Sequence, residues 1–236
     1  MSKPAISPQV VSKLLSYDYK SAAEKIGFTV VGILIALWIN RCDENWKKNA
    51  LEEKSLRELH AALAVDLVDI QKATQGDTVN VWHIQKALQF MRGEPVNLDS
   101  LPYHFKYSFF YSFLLANTSA YETLKSRGLD LITNDSLRLA IAHLYDVSYD
   151  FQTKVDDINN TLYNNHISPL RVKYFAKDPA SRLPYDLNYD ELRRDKDLYN
   201  ALKISLEMHY KNRNEYEYLE AEVLALQAMI QRELDL

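Results

Sequence analysis

The chain of 236 residues carries a formal net charge of −4 with 25% charged side chains, which suits one large domain or two small ones. It lacks the basic excess that phosphate neutralisation demands, so nucleic acid is not an expected partner. The single cysteine, Cys42, rules out an intramolecular disulfide and a cysteine-built zinc site.

Helix breakers are scarce: there are five glycines and seven prolines, with no proline between Pro8 and Pro95. An all-α chain is therefore expected. Residues 1–20, with Pro4 and Pro8, read as a tail leading into an amphipathic turn or two. From Ser21 to Gln75 nothing forces a break, and Leu56, Leu59, Leu63, Leu67 and Ile70 mark one face of an amphipathic helix. Gly76 is its expected stop. A shorter helix, Thr78 to Arg92, should be capped by Gly93 with Pro95 beyond. The spacing then predicts an aromatic-rich helix from Lys106 to Arg127, closed by Gly128, with Phe105 to Phe113 mostly in the core.

Thr133 or Asn134 should cap the next helix. Leu137, Ile141, Leu144, Ser148, Phe151, Val155, Ile158 and Leu162 alternate by four and three, a seam that wants a partner helix. On that phase the acids of Asp156–Asn160 face water. Pro169 should end the helix, and residues 170–187, with Pro179 and Pro184, read as an irregular connection. Asn188 and Glu191 make a capping box for a last long helix striped by Tyr216, Leu219, Val223, Leu226 and Ile230. In its acidic surroundings the basic cluster Arg193, Arg194 and Lys196 is a solvated face. The expected architecture is an N-terminal transmembrane helix continuing into an antiparallel bundle of long helices. The expected boundaries are a tail at 1–21, a span at 22–42 and a bundle domain at 43–236.

The span rests on the run "VVGILIALWIN". Its uncharged stretch Ile26–Ile39 has 14 residues, about 21 Å of helix against roughly 30 Å of hydrocarbon. By length alone it suits a buried core helix. Yet it is apolar on every face. It extends to Ala22–Cys42 if Glu24, Lys25 and Arg41 reach the headgroups, and Trp38 and Trp46 stand near one end as interfacial anchors. A cleavable signal peptide is not expected, because Asn40-Arg41-Cys42-Asp43-Glu44 follows the run. At about 100° per residue, Thr29, Gly32, Ala36 and Asn40 share one narrow stripe. Small residues four apart let membrane helices approach, so a homo-oligomer packed through this stripe is expected. The alternative is a homo-oligomeric channel lined by Thr29, Ala36 and Asn40. Positive charges before and after the run are nearly equal in number and leave orientation open.

"GILIALWINRCDENWKKNALEEKSL" resembles the signature of an uncharacterised bacterial family, a domain of unknown function made of small single-pass membrane proteins with a motif close to G-I-L-I-A-L-x-I-x-x-W-N-E. "AYETLKSRGLDLITNDSLRLAIAHLYD", Ala120 to Asp146, is similar to that family's second segment. Cys42 stands where the family usually has Trp, Asp43 where it has Asn, and Trp38 where a polar residue is common. The resemblance implies an inner-membrane protein with a cytoplasmic N-terminus and a periplasmic helical domain, and it implies no catalytic residues.

Little else signals chemistry. The histidines His60, His83, His104, His143, His166 and His209 form no H-E-x-x-H and no i, i+4 pair. His143 with Asp146, and Glu58 with His60, are surface neighbours by this reading. The glycines are too far apart for a phosphate loop. No metal, cofactor or enzymatic activity is expected. Membrane lipid, a second copy and a protein partner of the helical domain are the expected contacts.

Overall fold

The computed structural model describes residues 8–175 and 187–235, and every regular element among them is helical. The elements are α1 (Pro8–Met91), α2 (Leu101–Tyr107), α3 (Ser119–Arg127), a 3-10 turn (Leu129–Leu131), α4 (Asp135–His143), a first π segment (Leu144–Tyr149), α5 (Asp150–Leu162), a second π segment (Tyr163–Ile167), α6 (Ser168–Phe175), α7 (Tyr189–Arg194) and α8 (Lys196–Asp235). The chain divides into two units, Met1–Glu53 and Lys54–Leu236. The expected tail before Pro8, and Pro179 and Pro184, lie outside the described residues.

In the first unit α1 begins at Pro8, earlier than the expected Ser21. Proline suits this position, since the first N–H of a helix has no intrahelical partner to lose. From residue 22 to 50 every side chain is exposed. Hydropathy puts the domain boundary at 43; burial begins only at Glu52.

The second unit is an all-α bundle of four antiparallel passes. The first is α1 beyond residue 53, and the second runs back along it from α2 to α3. His83 lies against His104, Asp66 against Asn117 and Ser55 against Arg127. The third pass is the rod α4–α5–α6. The fourth, α8, meets the third at Asn159–Asn212 and His143–Glu222, and the first at Gln85–Tyr210 and Gln71–Glu220.

Leu56, Leu59, Leu63 and Ile70 are buried as their spacing predicts, while Leu67 is only partly covered and Asp66 beside it is 1% exposed. Gly76 does not stop α1. The helix continues through it, Thr78 Oγ1 donating back to the Thr74 carbonyl at 2.9 Å, and a Cβ there would stand 3.5 Å from Ser112 Oγ. The helix ends at Met91, where Gly93 takes φ +79° and donates to Phe90 O at 2.9 Å.

The expected helix from Lys106 to Arg127 does not form as one piece. α2 ends at Tyr107, α3 starts at Ser119, and the chain between is irregular. Carboxylates from other passes take its amides: Asn117 N–H donates to Asp66 Oδ1 at 2.8 Å and Leu114 N–H to Asp156 Oδ2 at 3.3 Å. Tertiary acceptors thus replace the helical ladder. The aromatics divide accordingly, Phe105 and Phe109 buried, Phe110 and Phe113 exposed.

Asn134 caps α4, accepting from Leu137 N at 3.2 Å. Leu137, Ile141, Leu144 and Ser148 face inward as predicted. After the first π segment the buried positions move on by one residue: Gln152 and Asn159 are buried, and Phe151 and Ile158 are 51% and 62% exposed. A π turn holds an extra residue and so rotates everything after it. The second π segment precedes Pro169, and α6 runs past that proline to Phe175. The widened turn provides a place for a ring that an unbroken α-helix would reject.

Asn188 caps only the short α7, accepting from Glu191 N at 3.2 Å; Asp195 caps α8, accepting from Leu198 N at 2.9 Å. Tyr216, Leu219, Val223, Leu226 and Ile230 are all buried along α8.

Candidate functional site

Two regions stand out, one in each unit. In the first, α1 holds the one helix among the described residues long and apolar enough to cross a membrane, and none of its most apolar window is buried. The polar members of the stripe are bonded within their own helix. Thr29 Oγ1 donates to Lys25 O at 2.9 Å and Asn40 Nδ2 to Glu44 Oε1 at 2.8 Å. A Cβ at Gly32 would meet nothing within 4 Å. Ala36 is exposed, as are Trp38 and Trp46 at 68% and 72%.

In the second unit the bundle has a polar waist. At one end it is closed by Ile84, Leu88, Phe90, Phe105, Ile167 and Leu202, and toward the other by Leu59, Leu63, Ile141 and Val223. Between these levels His209 Nδ1 lies 2.7 Å from Asp77 Oδ1, both almost fully buried. Asn159 Nδ2 donates to Asn212 Oδ1 at 2.7 Å and Tyr149 OH to Asp66 Oδ2 at 2.9 Å. Burial pushes the Asp66 carboxyl above the usual carboxylate range, against the pull of Asn117 N–H and the Tyr149 hydroxyl. The waist leaves Asp77 Oδ2, Gln152 Oε1, Asn212 Nδ2 and the Tyr145 and Tyr216 hydroxyls without hydrogen-bond partners.

Beside this waist a cavity of about 700 Å³ opens between residues 111–118 and the face formed by the first π segment and α5. Its aromatic walls are Tyr111, Phe113, Tyr145 and Tyr149, and its carboxylates are Glu122, Asp146, Asp150, Asp156 and Asp157; no Lys or Arg lines it. Asp156 is the innermost anchor. Its Oδ1 accepts from Gln152 Nε2 at 3.1 Å, its Oδ2 from Leu114 N–H, and its backbone carbonyl from Tyr111 OH at 2.9 Å. Burial raises its carboxyl too. Asp146 is different. Hydrogen bonds from Lys125 Nζ at 2.8 Å and Tyr121 OH at 2.6 Å hold it below the usual range.

The histidines do not assemble as sequence neighbours. His143 pairs with Glu222 at 3.4 Å rather than with Asp146. His83 and His104 meet Nδ1 to Nδ1 at 3.0 Å, and burial holds both below the ordinary histidine value. Among the described residues no three His, Cys, Asp or Glu side chains converge as metal ligands.

The sequence alone did not place Asp66, Asp77 and Asn159 in the interior, or Asp156 half-buried at its edge. The available signal was "DDINN", where Asn159 is buried and Asp156 partly buried once the helix takes up one residue in the π turn, while Asp157 and Asn160 stay exposed. Compared with family models, curated proteins and solved structures, the chain matches none.

Proposed function

We propose that the chain is a single-pass inner-membrane protein that packs against copies of itself through Thr29, Gly32, Ala36 and Asn40 and presents its helical domain, on the periplasmic side, to a protein partner. The carrying observation is the exposure of an all-round apolar helix: in water its burial would be strongly favoured, and none of the described residues covers it. Lipid supplies that cover. Gly32, against which none of the described residues packs, leaves room for a second helix. The Thr29 and Asn40 side chains are bonded along their own helix, which favours a packed face over a wet conduit. On the outer face of the rod, Val147, Phe151 and Ile158 are each more than half exposed, a surface for the partner. The orientation rests on the resemblance of residues 32–56 and 120–146 to the single-pass family.

Membrane residence is tested by carbonate extraction, which a spanning chain resists and a peripheral one does not. Cys42, the single cysteine and exposed, reports the side: a membrane-impermeant maleimide should label it in intact spheroplasts. Labelling confined to inverted vesicles would reverse the orientation. Native mass spectrometry in nanodiscs should show a dimer or trimer that Gly32→Leu dissociates. A ring of five or more chains would instead favour a conduit lined by Thr29, Ala36 and Asn40.

A further inference from the structure

We infer that the cavity between residues 111–118 and the α5 face binds an organic cation, an ammonium group carried on a flat apolar body. The inference stands apart from the membrane reading, since every group it uses lies in the helical domain.

Size comes first. About 700 Å³ holds a small organic molecule with several rings. Charge comes next. Lys125 neutralises Asp146 at 2.8 Å and Lys154 neutralises Asp150 at 2.6 Å. Among the described residues Glu122 and Asp157 have no ion-pair partner, so the mouth of the cavity keeps negative charge with no cation in its wall. An anion would meet only repulsion there.

One buried side chain carries the argument further. Tyr145 faces the cavity at 5% exposure, and its hydroxyl has no partner. A phenol oxygen accepts as well as donates, so an N–H of the ligand can satisfy it. An inorganic metal ion fits less well, because no three ligating side chains converge. The faces of Tyr111 and Phe113, ring centres 6.3 Å apart, supply apolar area and the negative π surface that attracts ammonium groups.

The test uses the full chain in nanodiscs and three probes of one shape: tryptamine, the neutral 3-ethylindole and the anionic indole-3-propionate. Ligand-observed saturation-transfer NMR, corrected with empty nanodiscs, should show tryptamine binding in preference to both others. The double variant Glu122→Gln, Asp157→Asn alters only exposed side chains and should weaken tryptamine about tenfold. Tyr145→Phe removes a hydroxyl that bonds to nothing, and should weaken it about threefold with the domain's unfolding midpoint unchanged. Equal signals from the three probes, no tryptamine signal at millimolar concentration, or wild-type affinity in the double variant would each overturn the proposal. So would displacement of tryptamine by millimolar Mg2+ alone, which would mark an inorganic cation cleft.

Discussion

The two stretches of α1 on either side of Glu53 are the same kind of helix built for different surroundings. In residues 22–50 apolar side chains occupy every face of the run and none is covered; Leu34 is 59% exposed. In residues 54–91 one stripe of apolar side chains disappears into the bundle, Leu63 at 0% exposure, while Val65, Val68, Val79 and Trp82 stay exposed. Helix propensity does not separate them, since Ala, Leu, Lys and Glu recur in both. What differs is the angular distribution of the apolar residues, and with it the medium that can satisfy them. A stripe is met by three neighbouring helices, an all-round apolar surface by lipid or by other copies of itself.

The difference is broken most directly by the same truncation made on each side. Leu63→Ala should cost the helical domain about 2–5 kcal/mol, because it removes buried methylenes and leaves a cavity. Leu34→Ala should shift the same unfolding transition by less than about 0.5 kcal/mol. Urea midpoints in nanodiscs, followed by far-UV circular dichroism, measure both. A Leu34→Ala loss as large as that of Leu63→Ala would show that residues 22–50 are covered by the protein after all, and would end the lipid reading.

A second substitution sharpens the contrast inside the bundle. His209→Leu matches the apolar ends of the bundle in character, yet it takes from the Asp77 side chain the one hydrogen-bonding neighbour that it has among the described residues, in a site 0% exposed. A buried polar group left unpaired costs about 1–3 kcal/mol, so the variant should be less stable in spite of the added apolar side chain. Greater stability would mean that the waist is there for function alone.

How much of this was legible follows helical phase. The α8 stripe from Tyr216 to Ile230 is an unbroken repeat, and each of its five members is buried. Asn134, Gly93 and Gly128 announced the ends that they form, because capping is decided within a few residues. The seam from Leu137 was legible as far as Ser148. Beyond that the π turn moved the phase by one residue, and no residue type marks such a turn. Between Ser108 and Thr118 the aromatic spacing suggested a helix, but the acceptors that replaced its ladder, Asp66 and Asp156, come from 51 and 42 residues away in sequence. The cavity is built from those two displaced segments. Its wall was therefore hidden from the sequence for the same reasons, while the exposed apolar run was plain from composition.

The smallest expected effect concerns the pH dependence of the waist. Burial raises the Asp66 carboxyl above its ordinary value in the folded chain. The native state then holds this proton more tightly than the unfolded state does. Its contribution to stability is present below the unfolded value and is lost as pH rises through the folded one. Asp66→Asn retains an oxygen to accept from Asn117 N–H and removes the titration. The stability of the wild type relative to this variant should therefore rise as the pH falls from neutral toward the ordinary carboxylate value, read from paired urea midpoints. A difference that does not change with pH would mean that the Asp66 carboxyl keeps its ordinary affinity for the proton, held down by Asn117 N–H and the Tyr149 hydroxyl. The waist would then carry full carboxylate charge at neutral pH, and the unpartnered acceptors beside it would attract a cation more strongly still.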